Sequence, residues 1–452
     1  MNHVVIIGGG PGGYEAALVA AQLGAEVTVV DSDGIGGSAV LTDCVPSKTL
    51  IATAELMADF EEAGELGIAT AMPTVDLEKV NARVKALALA QSSDIEGRLV
   101  RDGVRVVHGR GSLDGPGRVV VGDETLEADA ILVATGAAPR TLPTAQPDGE
   151  RILTWEQVYD LAEVPEKLVV VGSGVTGAEF AGAYNLLGID VTLVSSRDRV
   201  LPGEDADAAN VLEEVFTRRG MTVLGKSRMQ SVERNGDSVT VTLGDGSTVE
   251  GSHCLLALGS IPNTSGIGLE EAGVALGEGG FVTVDRVSRT SARGVYSAGD
   301  CTGVFMLASV AAMQGRIAMW HFLGDAVAPL HLKVVSSNIF TSPEIATVGV
   351  SQAAVDKGEA FADVQMLPLA TNARAKMQGV RDGFVKLFTS PGSGRVMGGV
   401  VVGPRASELI HSISLAVAEG ITADQFAQAF TVYPSMSGSV AEAARRLHRV
   451  GP

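Results

Sequence analysis

Apolar residues in this chain come mostly as short unbroken runs that end in glycine. That pattern predicts strands buried on both faces of a parallel sheet. The first run, Val4-Val5-Ile6-Ile7, leads into Gly8-Gly9-Gly10-Pro11-Gly12-Gly13 and then into helix-forming residues 14–23. A second run, Glu26–Val30, ends at Asp31. The unit returns at Leu168–Glu179, with a following strand at Asp190–Val194. Between the two, a helix is predicted from about Ser47 through Ala58. Pro46 near its start is tolerated, because an early helical N–H has no partner to lose. Val80, Val84, Leu87 and Ile95 recur at helical spacing and predict a long amphipathic helix over 75–100. Strands are predicted at 104–107, 119–121 and 130–136, then at 239–243, 254–258 and 294–300, with a helix at 306–323. From about 333 the pattern mixes strands (333–340, 365–369, 384–388, 397–402) with helices (406–419, 422–429) and a short basic helix at 442–449. Residues 139–149, rich in proline and turn formers, read as a domain boundary.

The glycines add chemistry to this pattern. Gly8, Gly10 and Gly13 match G-x-G-x-x-G between strand and helix. The first glycine makes the turn, the second admits a pyrophosphate, and the third lets helix and strand pack closely. The helix start then holds the phosphates on its free N–H groups. Asp31 stands where an acid hydrogen-bonds ribose hydroxyls. Gly172, Gly174 and Gly177 repeat the motif, but the next strand ends at Ser195-Ser196-Arg197-Asp198-Arg199. Without the terminal acid, Arg197 and Arg199 are free to meet a 2′-phosphate. Asp300, after a short strand, is placed to bond a cofactor hydroxyl chain. The predicted fold class is α/β: two Rossmann-like dinucleotide-binding domains and a C-terminal α+β domain.

Composition narrows the function classes. The 452 residues carry 34 Lys and Arg against 53 Asp and Glu, a net charge of −19. That excludes a nucleic-acid binder, whose affinity comes from basic patches, and an anionic membrane surface as partner. No run reaches the ~18 apolar residues of a membrane span. The first core strand begins by residue 4, which leaves no room for a signal peptide. Cys44, Cys254 and Cys301 make an odd count and no disulfide framework. A cytoplasmic enzyme without a metal is expected. Cys254 reads as plain core. Cys44, near a helix start, is either a stabilised thiolate or a small buried hydrophobe.

Together the opening glycines, Ala134-Thr135-Gly136, Gly172 to Glu179, Gly299-Asp300 and Phe340-Thr341-Ser342-Pro343-Glu344 resemble the pyridine nucleotide–disulfide oxidoreductases. Lipoamide dehydrogenase and glutathione reductase are the nearest types, and the likeness covers nearly the whole chain. It implies FAD in the first site, NAD(P)H in the second, and a homodimer. It further implies an FAD-binding domain of 1–147 with 271–332, an NAD(P)-binding domain of 148–270 and a dimerisation domain of 333–452. Around FAD it places Gly8, Gly10, Pro11, Gly12, Gly13, Asp31, Gly37, Ser38, Lys48, Gly111, Thr135, Gly136, Asp300, Leu307 and Ala308. Around the nicotinamide nucleotide it places Gly172, Gly174, Gly177, Glu179, Ser195, Arg197 and Gly259. Lys48 and Glu179 match the family's ion pair beside the flavin N5.

The departures carry the functional expectation. The family's redox disulfide is Cys-x-x-x-x-Cys, and here its first position is Ala39 and only Cys44 remains. The family's C-terminal His and Glu correspond to Tyr433 and Gly438. A changed electron acceptor explains both losses at once. Ala39/Cys44, Asn372–Met377 and Tyr433-Pro434-Ser435 look like the actinobacterial lipoamide-dehydrogenase-like NAD(P)H:quinone reductases. That likeness implies hydride transfer from NAD(P)H to FAD, then electrons to a small-molecule quinone, without lipoamide or glutathione reduction. Tyr433 then lines the acceptor pocket or merely packs in the dimer interface. Three other readings stand beside it: a soluble transhydrogenase, a single-Cys peroxide or oxygen reductase working through Cys44, and a non-catalytic flavoprotein. The intact Lys48 and Glu179 speak against the last.

Overall fold

The computed structural model describes residues 2–69, 71 and 73–448. The end of the expected basic C-terminal helix, from 449 on, lies outside the described residues.

The chain starts as expected, with β1 (His3–Ile7), α1 (Pro11–Gln22) and β2 (Glu26–Asp31). A short α2 (Gly37–Leu41) turns into α3 (Cys44–Glu62) and α4 (Leu77–Arg101), followed by β3 (Arg105–His108). Helix α3 starts three residues before Ser47, because Pro46 falls in its first turn, where proline breaks no helical bond. Helix α4 is held at both ends. Asp76 accepts from the Lys79 N–H, and Arg98 and Arg101 meet the C-terminal dipole. A meander of β4 (Gly111–Leu113), β5 (Arg118–Val121) and β6 (Glu124–Glu127) precedes β7 (Ala130–Val133).

Strands β8 (Ala137–Pro139) and β9 (Ile152–Thr154) lead to the second unit of β10 (Lys167–Val171), α5 (Val175–Leu186) and β11 (Asp190–Val194). Helix α6 (Ala206–Arg218) and β12 (Thr222–Leu224) follow. A second meander of β13 (Met229–Asn235), β14 (Ser238–Leu243) and β15 (Thr248–Gly251) gives way to β16 (His253–Leu256) and β17 (Ser260–Pro262). Strand β18 (Val295–Ser297) then returns to the first sheet, whose order is β18-β7-β1-β2-β3, and α7 (Ala308–Leu323) covers it. The second sheet has the order β12-β11-β10-β16-β9. Both are wholly parallel, and Val4 to Ile7 and Leu168 to Val171 run down their centres at 0–3% exposure. Each such side chain contributes roughly 1.5–3 kcal/mol when fully buried.

The last part is an antiparallel sheet of order β19-β20-β23-β22-β21. Its strands are β19 (Ser336–Ile339), β20 (Glu344–Gly349), β21 (Asp363–Pro368), β22 (Phe384–Thr389) and β23 (Val396–Gly403). Helices α8 (Gln352–Asp356), α9 (Ala373–Met377), α10 (Ala406–Glu419), α11 (Ala423–Gln428) and α12 (Ser437–Arg446) complete it. The strand expected over 333–340 is in fact a 3₁₀ turn at Leu332–Val334 followed by β19.

This sheet is tied to the second nucleotide unit. Ile345, Phe384, Phe388 and Val402 share one apolar cluster with Phe180, Tyr184 and Phe216, and with Leu50 of α3. Lys386, 2% exposed, lies 2.8 Å from Asp205 at the start of α6, itself 3% exposed. Asp205 also accepts from the Asp207 and Ala208 N–H groups, so the buried charges have partners on both sides.

Candidate active site

The two glycine turns are built alike. Gly8 and Gly172 have φ of +106° and +112°, and they turn each central strand into its helix. Gly13 and Gly177 then bring helix and turn into contact. A Cβ on either would stand 1.8 Å from the carbonyl oxygen of Gly8 or Gly172. Helices α1 and α5 begin at Gly10 and Gly174 with no side-chain cap, and Pro11 is the first residue of α1. Their leading N–H groups are therefore left for an anion, and the helix dipoles favour one.

Around the first turn the structure gathers the expected residues. Gly12 packs against Ala298, and Gly37 lies against Gly10, where a Cβ would be 2.8 Å from the Gly10 Cα. Ser38 follows in the first turn of α2. Gly111 opens β4 against Ile7 and Val30. Thr135 and Gly136 follow β7, while Leu307 and Ala308 start α7. The Asp31 carboxylate accepts from the Gly9 N–H at 2.6 Å and from the Asp33 and Gly34 N–H groups at 2.8 and 2.6 Å. Three of its roughly four acceptor positions are thus used to shape the loop. Asp300, beyond β18, is pushed up to about 6 by burial and then by the charge of Asp43. Uncapped helix starts, glycine surfaces and a buried acid fit a pyrophosphate with a hydroxyl chain, as FAD carries.

The two units meet at a buried ion pair. Lys48, from α3, places its Nζ 2.8 Å from Glu179 Oε2 of α5. The Glu179 side chain is only 4% exposed, and its other oxygen accepts from the Phe340 N–H at 2.8 Å. The Lys48 ammonium also stands 5.1 Å from the Phe340 ring centroid. Burial pulls the Lys48 pKa down, but the charge of Glu179, its hydrogen bond, and Cys44 and Asp43 together raise it. A fixed cation therefore stands where the first unit, the second unit and the C-terminal sheet join.

One expectation needs correction, that for Ser195, and the structure adds to two that stood open. Cys44 is indeed the first residue of α3, yet its thiol is pushed up to about 12. Burial and the neighbouring Asp43 charge outweigh the helix dipole and Lys48. Ser195 does not face a nucleotide. It is fully buried, 2.6 Å from Ser173 Oγ, and accepts from the Arg197 N–H at 3.1 Å, so it shapes the loop after β11. Tyr433 is expected either in the acceptor pocket or packed in the dimer interface. It is 85% exposed and lies on a cavity of about 430 Å³ with Thr371, Asn372, Ser435 and Arg446. Phe430 and Val432 are exposed with it, as a surface awaiting a second subunit is.

Arg197 is exposed, and the Lys226 N–H donates to its carbonyl at 2.6 Å. Two cationic side chains thus leave adjacent strand ends, and Lys226 was not singled out from the sequence. Gly259, at φ +87°, follows β16 on the same sheet. Among the described residues no helix is long and apolar enough to cross a membrane, and no cluster of three or more side chains is suited to a metal.

The comparisons agree with this geometry. The family model described as pyridine nucleotide-disulphide oxidoreductase matches residues 2–315, and its dimerisation domain matches 335–444. An NAD(P)H dehydrogenase (quinone) of Mycobacterium tuberculosis strain H37Rv is 56% identical, over 99% of this chain and 94% of that protein. A dihydrolipoyl dehydrogenase of Chlorobaculum parvum is 34% identical, over 98% and 96%. The crystal structure of LpdA from Mycobacterium tuberculosis superposes with a TM-score of 0.95 at 56% identity, covering 99% of this chain and 100% of that one. The chain belongs to the pyridine nucleotide-disulphide oxidoreductases and is an FAD- and NAD(P)H-dependent flavoprotein oxidoreductase with the family's dimerisation domain.

Proposed function

We propose that this enzyme is an NAD(P)H:quinone oxidoreductase that works without a redox disulfide. The observation that carries the reading is a lone Cys44 beside an intact Lys48–Glu179 pair. Cys254 and Cys301 are fully buried elsewhere, so Cys44 has no thiol partner in the site. The name of the M. tuberculosis relative supports the same acceptor class. We take residues 1–147 with 271–332 as the FAD-binding domain, 148–270 as the NAD(P)-binding domain and 333–452 as the dimerisation domain. With free thiols throughout, a cytoplasmic homodimer fits the reading.

FAD, when bound, supplies the two-electron relay between the nicotinamide and the acceptor. The chain supplies position and charge. The uncapped start of α1 would hold the FAD pyrophosphate and that of α5 the nicotinamide nucleotide's. Glu179 fixes the Lys48 ammonium at the junction, where it offsets negative charge that builds up during transfer. Tyr433 of each subunit is assigned to the acceptor pocket of its partner. The high pKa of Cys44 speaks against the peroxide reading, which needs a thiolate.

Steady-state NADPH oxidation with 1,4-benzoquinone and, in parallel, lipoamide tests the proposal. Quinone turnover well above the oxygen background without lipoamide turnover is expected. Quinone turnover at background would move the assignment to transhydrogenase, which thio-NAD⁺ as acceptor would reveal. Arg197→Ala is expected to raise KM for NADPH about tenfold, one charge-assisted contact of ~1.5 kcal/mol, and to leave KM for NADH unchanged. Equal changes for both nucleotides would remove Arg197 from the 2′-phosphate site.

A further inference from the structure

On β22 the side chains of Phe384, Lys386 and Phe388 fall on one face of the sheet, since side chains alternate along a strand. Phe384 and Phe388 share an apolar cluster with Leu201, Ala208 and Leu212 of the second nucleotide unit. A lysine between two such phenylalanines is costly to bury unless a partner meets it. The partner is Asp205, on the loop that leads from β11 to α6. Resting on the assignment of the second glycine turn to the nicotinamide nucleotide, we propose that Lys386 is a positioning residue: through Asp205 it fixes the loop that holds the turn Gly172-Ser173-Gly174 in its binding shape.

The Lys386 Nζ lies 2.9 and 2.8 Å from the two carboxylate oxygens of Asp205 and 2.6 Å from Asp207 Oδ2. The Lys386 and Asp205 side chains are 2% and 3% exposed, whereas that of Asp207 is 52% exposed. Water can replace Lys386 at Asp207 but not at Asp205, so the contact with Asp205 is the one that burial enforces. Asp205 also accepts from the Asp207 and Ala208 N–H groups at 3.0 and 3.2 Å, which caps α6. A strand of the dimerisation domain thus sets the place where the loop ends and α6 begins.

From Asp205 a short run of hydrogen bonds reaches the turn. The Glu204 N–H donates to Leu201 O at 3.0 Å, and the Leu201 N–H donates to Ser173 O at 2.8 Å. Leu201 is 1% exposed and has φ of +50°, in the left-handed region. A leucine stays there only where its surroundings hold it. Ser173 stands between Gly172, which makes the turn, and Gly174, where α5 begins without a side-chain cap. Releasing Asp205 lets Leu201 relax toward ordinary backbone, and Ser173 O loses that donor. The free N–H groups at the start of α5 then shift from their common focus, and the phosphate they would bind is held more weakly.

The test uses holoenzyme carrying Lys386→Met, Asp205→Asn, or both. Asparagine keeps an oxygen for the Asp207 and Ala208 N–H groups, so the cap on α6 survives, and the double variant leaves no buried charge unpaired at this contact. Calorimetric titration of the double variant with NADP⁺ is expected to give a Kd about tenfold above wild type, a coupling of the size that packed networks carry. The KM for NADPH is expected to rise in step. Flavin content stays full, and bleaching at saturating NADPH stays within about twofold of wild type, because the loss lies in binding alone. The two residues act through one contact, so the double variant is expected to bind no more weakly than Lys386→Met. A role confined to stability lowers the thermal midpoint and leaves the Kd unmoved; that result would overturn the proposal, as would a double variant whose loss is the product of the two single losses. If the variants carrying Lys386→Met do not fold, Asp205→Asn alone decides: a raised Kd for NADP⁺ supports the role, and an unmoved one overturns it. A folded double variant that binds NADP⁺ as wild type does but loses FAD would overturn the assignment of the second turn together with this role, whereas normal binding of both overturns only the latter.

Discussion

Alanine at Gly13 is expected to give a chain that binds no FAD, while alanine at Gly177 is expected to keep FAD and lose the nicotinamide nucleotide. Each added Cβ would stand 1.8 Å from a backbone carbonyl oxygen, of Gly8 in one case and of Gly172 in the other. Neither oxygen can swing aside, because each belongs to the turn that ends a central strand. The helix must lift from its strand, at a cost of at least ~1–3 kcal/mol for overpacking alone. It also carries its N–H groups away from the phosphates they are placed to bind. The ratio of flavin to protein absorbance reads the first variant, and anaerobic bleaching by NADPH reads the second. A fully yellow Gly13→Ala protein, or normal bleaching of Gly177→Ala, would contradict the assignment of the two sites.

Replacing Lys48 with methionine is expected to slow flavin bleaching by NADPH roughly 10²-fold, about 2.7 kcal/mol, with FAD still bound. The variant keeps most of the length of the side chain and removes its charge. Glu179 is then buried with only the Phe340 N–H as partner among the described residues, and stability falls as well, because an ion pair broken on one side leaves a charge uncompensated. The double variant Lys48→Met/Glu179→Gln separates the two effects. Stability should return while the bleaching rate stays low. Recovery of the rate along with stability would show that the pair serves the fold and not the transfer.

The parallel sheets were legible in the sequence because their strands are buried on both faces. Val4–Ile7 and Leu168–Val171 carry no polar residue to interrupt them. The long helix at Leu77–Arg101 was legible from spacing, since one face meets the core. Strand β13 was not: its pattern is largely exposed, with only Val232 buried, so no alternation marks it. Strand β20 follows directly on the Ser342-Pro343 turn, and its Glu344, bonded by the Ser407 N–H, hides an otherwise apolar start. In the site, Lys48 and Glu179 were found through family likeness; spacing alone does not bring residues of α3 and α5 together. Ser195 was misjudged, and the choice at Cys44 was left open, for one reason. Local rules describe a helix start or a strand end in water, whereas here Cys44 is crowded by Asp43 and Ser195 is sealed beneath its own loop.

The central claim is that electrons leave this enzyme from the flavin and not from a disulfide. Anaerobic titration of the purified yellow protein with NADPH tests it most directly, followed by addition of benzoquinone or lipoamide to the bleached sample. One NADPH per subunit should complete the bleaching, since a lone Cys44 stores no electron pair. Benzoquinone should then restore the colour and lipoamide should not. Uptake of two NADPH per subunit, or return of the colour with lipoamide, would contradict the account.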